Sequence, residues 1–194
     1  MTLGKFEEPC RLTLLANAPS LYLDYDNCLH VCDAFKTADG IVPSNPSATF
    51  FEFAGVLESL LAPYPPLQIV LSTSWVRVIG FSAARDSLPL ASLWTRVVGS
   101  TFNPEEDSVA TWRSKNSATS GQPPCEKVGI KNWLALDDLR AGFEGVERHL
   151  VRCQQGGGLG DKDVQRLFAS RLELMFGQPD SRSSGDSSIA ECSA

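Results

Sequence analysis

Apolar positions fall along the chain in two rhythms. Short, nearly charge-free runs recur in "SLYLDYD", "LQIVLSTSW" and "NWLALDDL". Runs of that kind read as strands buried on both faces of a sheet. Two shorter strands are expected around Arg96–Gly99 and in "RHLVRCQ". Between them the period changes. Phe50, Phe53, Ala54, Leu57, Leu60 and Leu61 predict a helix over Thr49–Leu61, and "PYPP" stops it, since proline lacks the backbone donor. Val164, Leu167, Phe168, Leu172 and Met175 mark a last helical face, with Asp161 placed to cap it. Strands alternating with helices predict an α/β domain around a mostly parallel sheet. The polar, Gly/Pro-rich stretch 114–124 reads as a loop. The expected organisation is an N-terminal extension over 1–19, one domain over 20–176 and a disordered tail over 177–194.

The residues that end the apolar runs carry more information than the runs themselves. Three strands end in clustered polar residues: Asp24 with Asp26, Ser72 with Thr73 and Ser74, and Asp137 with Asp138. In an open parallel sheet the carboxyl ends of the strands share one edge, where ligands bind. Residues more than a hundred positions apart therefore converge. Carboxylates gathered at such an edge repel one another unless a cation neutralises them. An all-oxygen donor set with little histidine suits Mg²⁺. An acidic nucleophile, a hydroxyl donor and that ion are the parts of a phosphoryl-transfer site.

Composition narrows the readings. The 194 residues carry a formal net charge of −6, which argues against strong autonomous nucleic-acid binding through phosphate neutralisation. No apolar run is long enough to cross a bilayer and the first ten residues lack a signal-like core, so a cytoplasmic protein is expected. Cys10, Cys28, Cys32, Cys125, Cys153 and Cys192 are scattered and read as reduced thiols. Zinc held by Cys28, His30 and Cys32 is an alternative without an evident fourth ligand.

The motifs have a family counterpart. "LYLDYDNCLH" resembles the first motif of the haloacid dehalogenase-like (HAD) superfamily, "QIVLSTSW" its second and "WLALDD" its fourth, in that order. Together with "HLVRCQQGGGLGDKDVQRL", where Gly158-Leu159 precedes the final helix, they are similar to the HAD domain of Swiss Army Knife RNA repair proteins. The resemblance implies a Rossmann-like three-layer α/β/α sandwich and a Mg²⁺-dependent phosphohydrolase. It implies Asp24 as nucleophile, forming an aspartyl-phosphate, and Asp26 as the acid that protonates the leaving group and then helps activate water. Thr73 would bind the transferring phosphoryl group. Asp24, Asp138 and the backbone carbonyl of Asp26 would ligate the metal, supported by Asp137. Arg113 is the candidate for the third-motif cation, with Lys115, Lys127 and Lys131 as rivals. Asn27 stands where the family usually has glycine, and asparagine tolerates a left-handed backbone.

Neither the chain between Asp26 and Thr73 nor that between Gly99 and Arg113 has room for a large cap domain. An open site suits a bulky substrate or a partner that supplies the lid; the substrate expected is a phosphorylated small molecule, a nucleotide, a nucleic-acid end or a protein side chain. The other class of reading is a HAD-fold binding module that has lost turnover and acts with a partner. A receiver-type phospho-acceptor fits less well, because its acidic pair comes first and its acceptor later. Other features have ordinary readings: His30 as a hydrogen-bonded loop residue, His149 as structural, Trp75 as core or rim, and "QQGGGLG" as a flexible turn.

Overall fold

A computed structural model describes residues 18–38, 40–102 and 132–177. Arg113, Lys115, Lys127, Lys131, the 114–124 loop, Cys10, Cys125, Cys192 and nearly all of both expected terminal segments lie outside the described residues. The chain enters a sheet as β1 (Ser20–Leu23), then forms a hairpin of β2 (Ala34–Thr37) and β3 (Gly40–Pro43). Helix α1 (Ala54–Leu61) leads to β4 (Gln68–Leu71). Three short helices come next, α2 (Trp75–Ile79), α3 (Phe81–Asp86) and α4 (Ala91–Trp94), before β5 (Val97–Ser100). After the undescribed stretch come β6 (Trp133–Asp137), β7 (Leu150–Arg152) and α5 (Lys162–Phe176).

Five strands form one parallel sheet in the order β5-β4-β1-β6-β7. The chain moves outward from β1 through β4 to β5, then crosses to β6 and β7, so β1 sits at the reversal of strand order. This is the Rossmann-like α/β arrangement that the alternating pattern predicts. Each strand buries both faces. Leu21, Leu23, Ile69, Leu71, Leu134, Leu136 and Val151 face a large core shared with α1 and α5. Tyr22, Val70, Trp133, Ala135 and Leu150 form a second apolar layer on the other face. Phe168 of α5 is fully buried in the larger core, and truncating it to alanine would cost about 3–5 kcal/mol.

The strands expected from the apolar runs are all present within a residue or two. Asp161 caps α5 as expected, its carboxylate accepting from the Asp163 backbone N–H at 2.7 Å. The helix expected from Thr49 begins only at Ala54. Phe51 adopts a positive φ of 59°, which is incompatible with a right-handed helix and turns the chain before α1 starts. The hairpin β2-β3 is an addition to the sequence reading. Apart from it, α1 and β4, the described chain between Asp26 and Thr73 holds only turns, bends and irregular links, so no domain of its own covers the strand ends there.

His149 is structural: its ring stacks on Trp133 with centroids 4.2 Å apart, and Nδ1 lies 2.8 Å from the Trp133 carbonyl. The "GGGLG" stretch departs from the flexible turn expected of it. Gly158 and Leu159 are buried in a 3₁₀ turn. A Cβ on Gly158 would lie 2.8 Å from the Cys28 carbonyl oxygen, and one on Gly160 would lie 2.6 Å from the Phe53 ring. Leu159 donates its backbone N–H to Cys28 at 3.0 Å. These glycines let the final loop press against the turn just after Asp26.

Candidate active site

Register fixes the site. Leu23 pairs with Leu71 of β4 on one side and with Leu136 of β6 on the other. Asp24, one residue on, therefore leaves the sheet beside Ser72 and Asp137. The backbone ties them: Asp24 N–H donates to Leu136 at 3.0 Å and Ser72 N–H to Leu23 at 2.8 Å. Carboxylate oxygens of Asp24, Asp137 and Asp138 come within 4.8 Å of one another. They are the one such group of potential metal ligands among the described residues.

The cluster is electrostatically loaded. Burial raises the Asp24 carboxyl well above its usual range, and the charges of Asp137, Asp26 and Asp138 push in the same direction. The Tyr25 backbone N–H, donating to Asp24 Oδ1 at 2.8 Å, opposes them. Burial likewise pushes Asp137 up to about 7, against the Leu139 N–H it accepts at 2.8 Å. Asp138 is raised by burial and moderated by the Asn27 amide. No Lys or Arg among the described residues pairs with these three carboxylates. Arg152 approaches, but its Nε donates to the backbone carbonyl of Asp138 at 3.1 Å. Three half-buried, oxygen-only ligands with raised affinity for positive charge fit a hard divalent metal ion.

Asn27 does more than tolerate its turn. Its φ is 56°, the left-handed conformation expected of the glycine position. Its buried side chain also donates to Asp33 Oδ1 at 2.8 Å and to Asp138 Oδ2 at 3.1 Å. The first loop is thereby tied to the fourth-motif acid. Sequence reasoning reached the backbone conformation but not these bonds.

Asp26 lies apart from the cluster. Its Oδ1 accepts from the Trp75 indole N–H at 3.0 Å and lies 3.2 Å from His30 Nε2. Its side chain is not in the group formed by Asp24, Asp137 and Asp138, and the metal contact anticipated for this residue is through its backbone carbonyl. Thr73 is buried, and its Oγ1 accepts the Trp75 backbone N–H at 3.4 Å. Its own hydroxyl proton remains available for donation.

The zinc alternative is not assembled. His30 is engaged with Asp26, and the Cys28 thiol hydrogen-bonds Cys153, with burial pushing Cys28 well above the usual thiol range. The described cysteines, Cys28, Cys32 and Cys153, are free thiols. Among the described residues no helix is long and apolar enough to cross a membrane.

No curated protein matches the chain. The family model describing the HAD domain in Swiss Army Knife RNA repair proteins matches residues 20–164, from the first residue of β1 into α5. The chain belongs to that HAD family.

Proposed function

We propose that the protein is a Mg²⁺-dependent phosphohydrolase that works through an aspartyl-phosphate on Asp24. The observation that carries this reading is the convergence of Asp24, Asp137 and Asp138 within 4.8 Å at the end of the central strands. Bound there, Mg²⁺ would neutralise the carboxylates and the phosphate oxygens, with Asp24, Asp138 and the Asp26 backbone carbonyl as ligands and Asp137 in support.

The ionised Asp24 attacks phosphorus. The ester P–O bond breaks, and its electron pair leaves with the ester oxygen, which takes the proton held by Asp26. Water then attacks the aspartyl-phosphate and gives a proton back to Asp26. The P–O bond to Asp24 breaks, and free phosphate and the Asp24 carboxylate are restored. Thr73 donates its hydroxyl to a phosphoryl oxygen throughout. Arg113 is our candidate for the cation that balances phosphate charge.

The substrate class we favour is a phosphorylated nucleotide or nucleic-acid end. It rests on the family's description as RNA repair proteins and on the absence of a covering domain between Asp26 and Thr73 among the described residues. The net charge of −6 suits local recognition of an end better than tracking along a strand. The test is phosphate release from an aryl phosphate and from 3′- and 5′-phosphorylated oligonucleotides, with Mg²⁺ and with chelator. Release that requires Mg²⁺ and is lost in Asp24→Asn is expected. Equal release by that variant would eliminate the covalent route, and silence on every substrate would favour the binding module.

A further inference from the structure

His30 is fully buried, and its Nδ1 has no hydrogen-bond partner. The ring is enclosed by aromatic neighbours: Phe50 at 4.9 Å, Phe51 at 5.6 Å and Trp75 at 6.1 Å between centroids. Phe51 reaches this place from a left-handed backbone, φ 59°, which is costly for an aromatic residue. A cage of three rings would accept an apolar side chain without leaving a buried nitrogen unpaired. What an apolar residue could not supply is the contact at the other nitrogen, Nε2, which lies 3.2 Å from Asp26 Oδ1.

That contact has a direction. A carboxylate only accepts, so when Asp26 is ionised the contact is made by an N–H on Nε2. The Trp75 indole, a donor only, meets the same oxygen at 3.0 Å. Two donors converge on Oδ1, and no described group donates to Oδ2. When Asp26 is protonated, its proton is therefore excluded from Oδ1 and carried on Oδ2.

We propose that His30, with Trp75, is a positioning residue that clamps Asp26 by Oδ1 so that Oδ2 holds and delivers the proton to the leaving group. This rests on the reading of Asp26 as general acid. In the transfer step the ester P–O bond breaks and its electron pair passes to the ester oxygen. That oxygen binds the proton released from Oδ2, and Asp26 is left as a carboxylate held by the two N–H donors. The clamp stabilises the ionised product of that step and fixes the departing proton's starting point.

The role predicts a dependence on the leaving group. An alkyl alcohol must be protonated as it departs, whereas a nitrophenolate leaves as a stable anion. The experiment measures kcat/KM of the full chain in Mg²⁺ on p-nitrophenyl phosphate and on an alkyl phosphate monoester. This parameter covers only the steps through transfer to Asp24, so later water activation drops out. His30→Asn, whose amide is too short to reach Oδ1, is expected to lose roughly 10- to 100-fold on the alkyl ester and less than about threefold on the aryl ester. His30→Gln, whose amide nitrogen extends to about the position of Nε2, should recover most of the loss. Trp75→Phe, which removes the other donor while keeping an aromatic ring, should show the same split.

Parallel losses on both esters would make His30 merely structural and overturn the inference, as would unchanged rates or glutamine no better than asparagine. A wild type inactive on both esters and on the 3′- and 5′-phosphorylated oligonucleotides would instead overturn the proposed function on which the inference rests. Should His30→Asn fail to fold, the glutamine and Trp75→Phe variants decide the question by the same split.

Discussion

Asp24 and Asp26 are separated by one residue, yet the fold gives them opposite surroundings. Asp24 sits among like charges, with Asp137 and Asp138 within 4.8 Å and one backbone N–H to offset them. Asp26 sits beside aromatic rings, with two N–H donors on a single oxygen. The first environment calls for an external cation; the second is satisfied by the protein itself. Divergent surroundings are how two acids in one site take different roles. Strand geometry accounts for the divergence. Asp24, one residue past β1, is still tied to β6 by its backbone N–H, while Asp26 has already entered the turn held by Asn27.

The largest effect expected from breaking this contrast is at Asp24. Asp24→Asn should lower turnover by on the order of 10⁴-fold or more, since an amide is not a nucleophile. In chelator the same change should raise thermal stability, because it removes one of three mutually repelling carboxylates. A variant that is both active and less stable would contradict both halves of the argument. Next comes Thr73. Thr73→Val should cost about 100-fold or more in kcat by deleting a donor to the phosphoryl group, and Thr73→Ser much less. Equal rates in the two variants would move the role to Ser72 or Ser74.

The acid cluster also dictates a pH profile. Asp137 is pushed up to about 7 in the folded chain, against about 3.9 when unfolded. The folded state therefore binds the proton more tightly, and folding opposes ionisation. In chelator, stability is greatest at acidic pH with respect to this group and falls as pH rises from about 4 through about 7. Metal binding competes with those protons, so stabilisation by Mg²⁺ should be largest above pH 7 and fade toward pH 5. At a hundredfold excess over its dissociation constant, the ion should raise Tm by roughly 5–10 °C. Asp137→Asn should flatten the chelator profile. If its profile ran parallel to wild type, Asp137 would not be the titrating group.

The cluster was legible in the sequence, while the surroundings of Asp26 were not. Asp24, Thr73 and Asp137 each end a charge-free run, and a parallel sheet brings strand ends together whatever the loops between them do. The hairpin β2-β3 leaves no mark in the apolar pattern because its strands are four residues long and mostly exposed, with no buried period. The late start of α1 depends on the positive φ of Phe51, which no helical periodicity reveals. The clamp on Asp26 joins residues from three segments, His30, Phe50 with Phe51, and Trp75, through tertiary packing alone. Gly158 and Gly160 suggested mobility by composition, yet they are glycines because other atoms press against them.

The smallest predicted effect is at the residue that joins the two environments. Asn27 holds the left-handed turn and donates to Asp138 at 3.1 Å and to Asp33 at 2.8 Å. Asn27→Gly keeps the backbone freedom and loses both bonds, so its cost should be about 1 kcal/mol, or roughly 2–4 °C in Tm. Asn27→Ala loses the same bonds and adds a Cβ at positive φ, which should cost about another 1–2 kcal/mol. Removing the amide also removes what moderates the Asp138 carboxyl, so in chelator both variants should lose more stability at pH 8 than at pH 5. Alanine below glycine in Tm would show that the backbone conformation matters here. Equal values would mean that Asn27 acts through its hydrogen bonds alone, and that the turn into Asp26 is set by the buried packing around it.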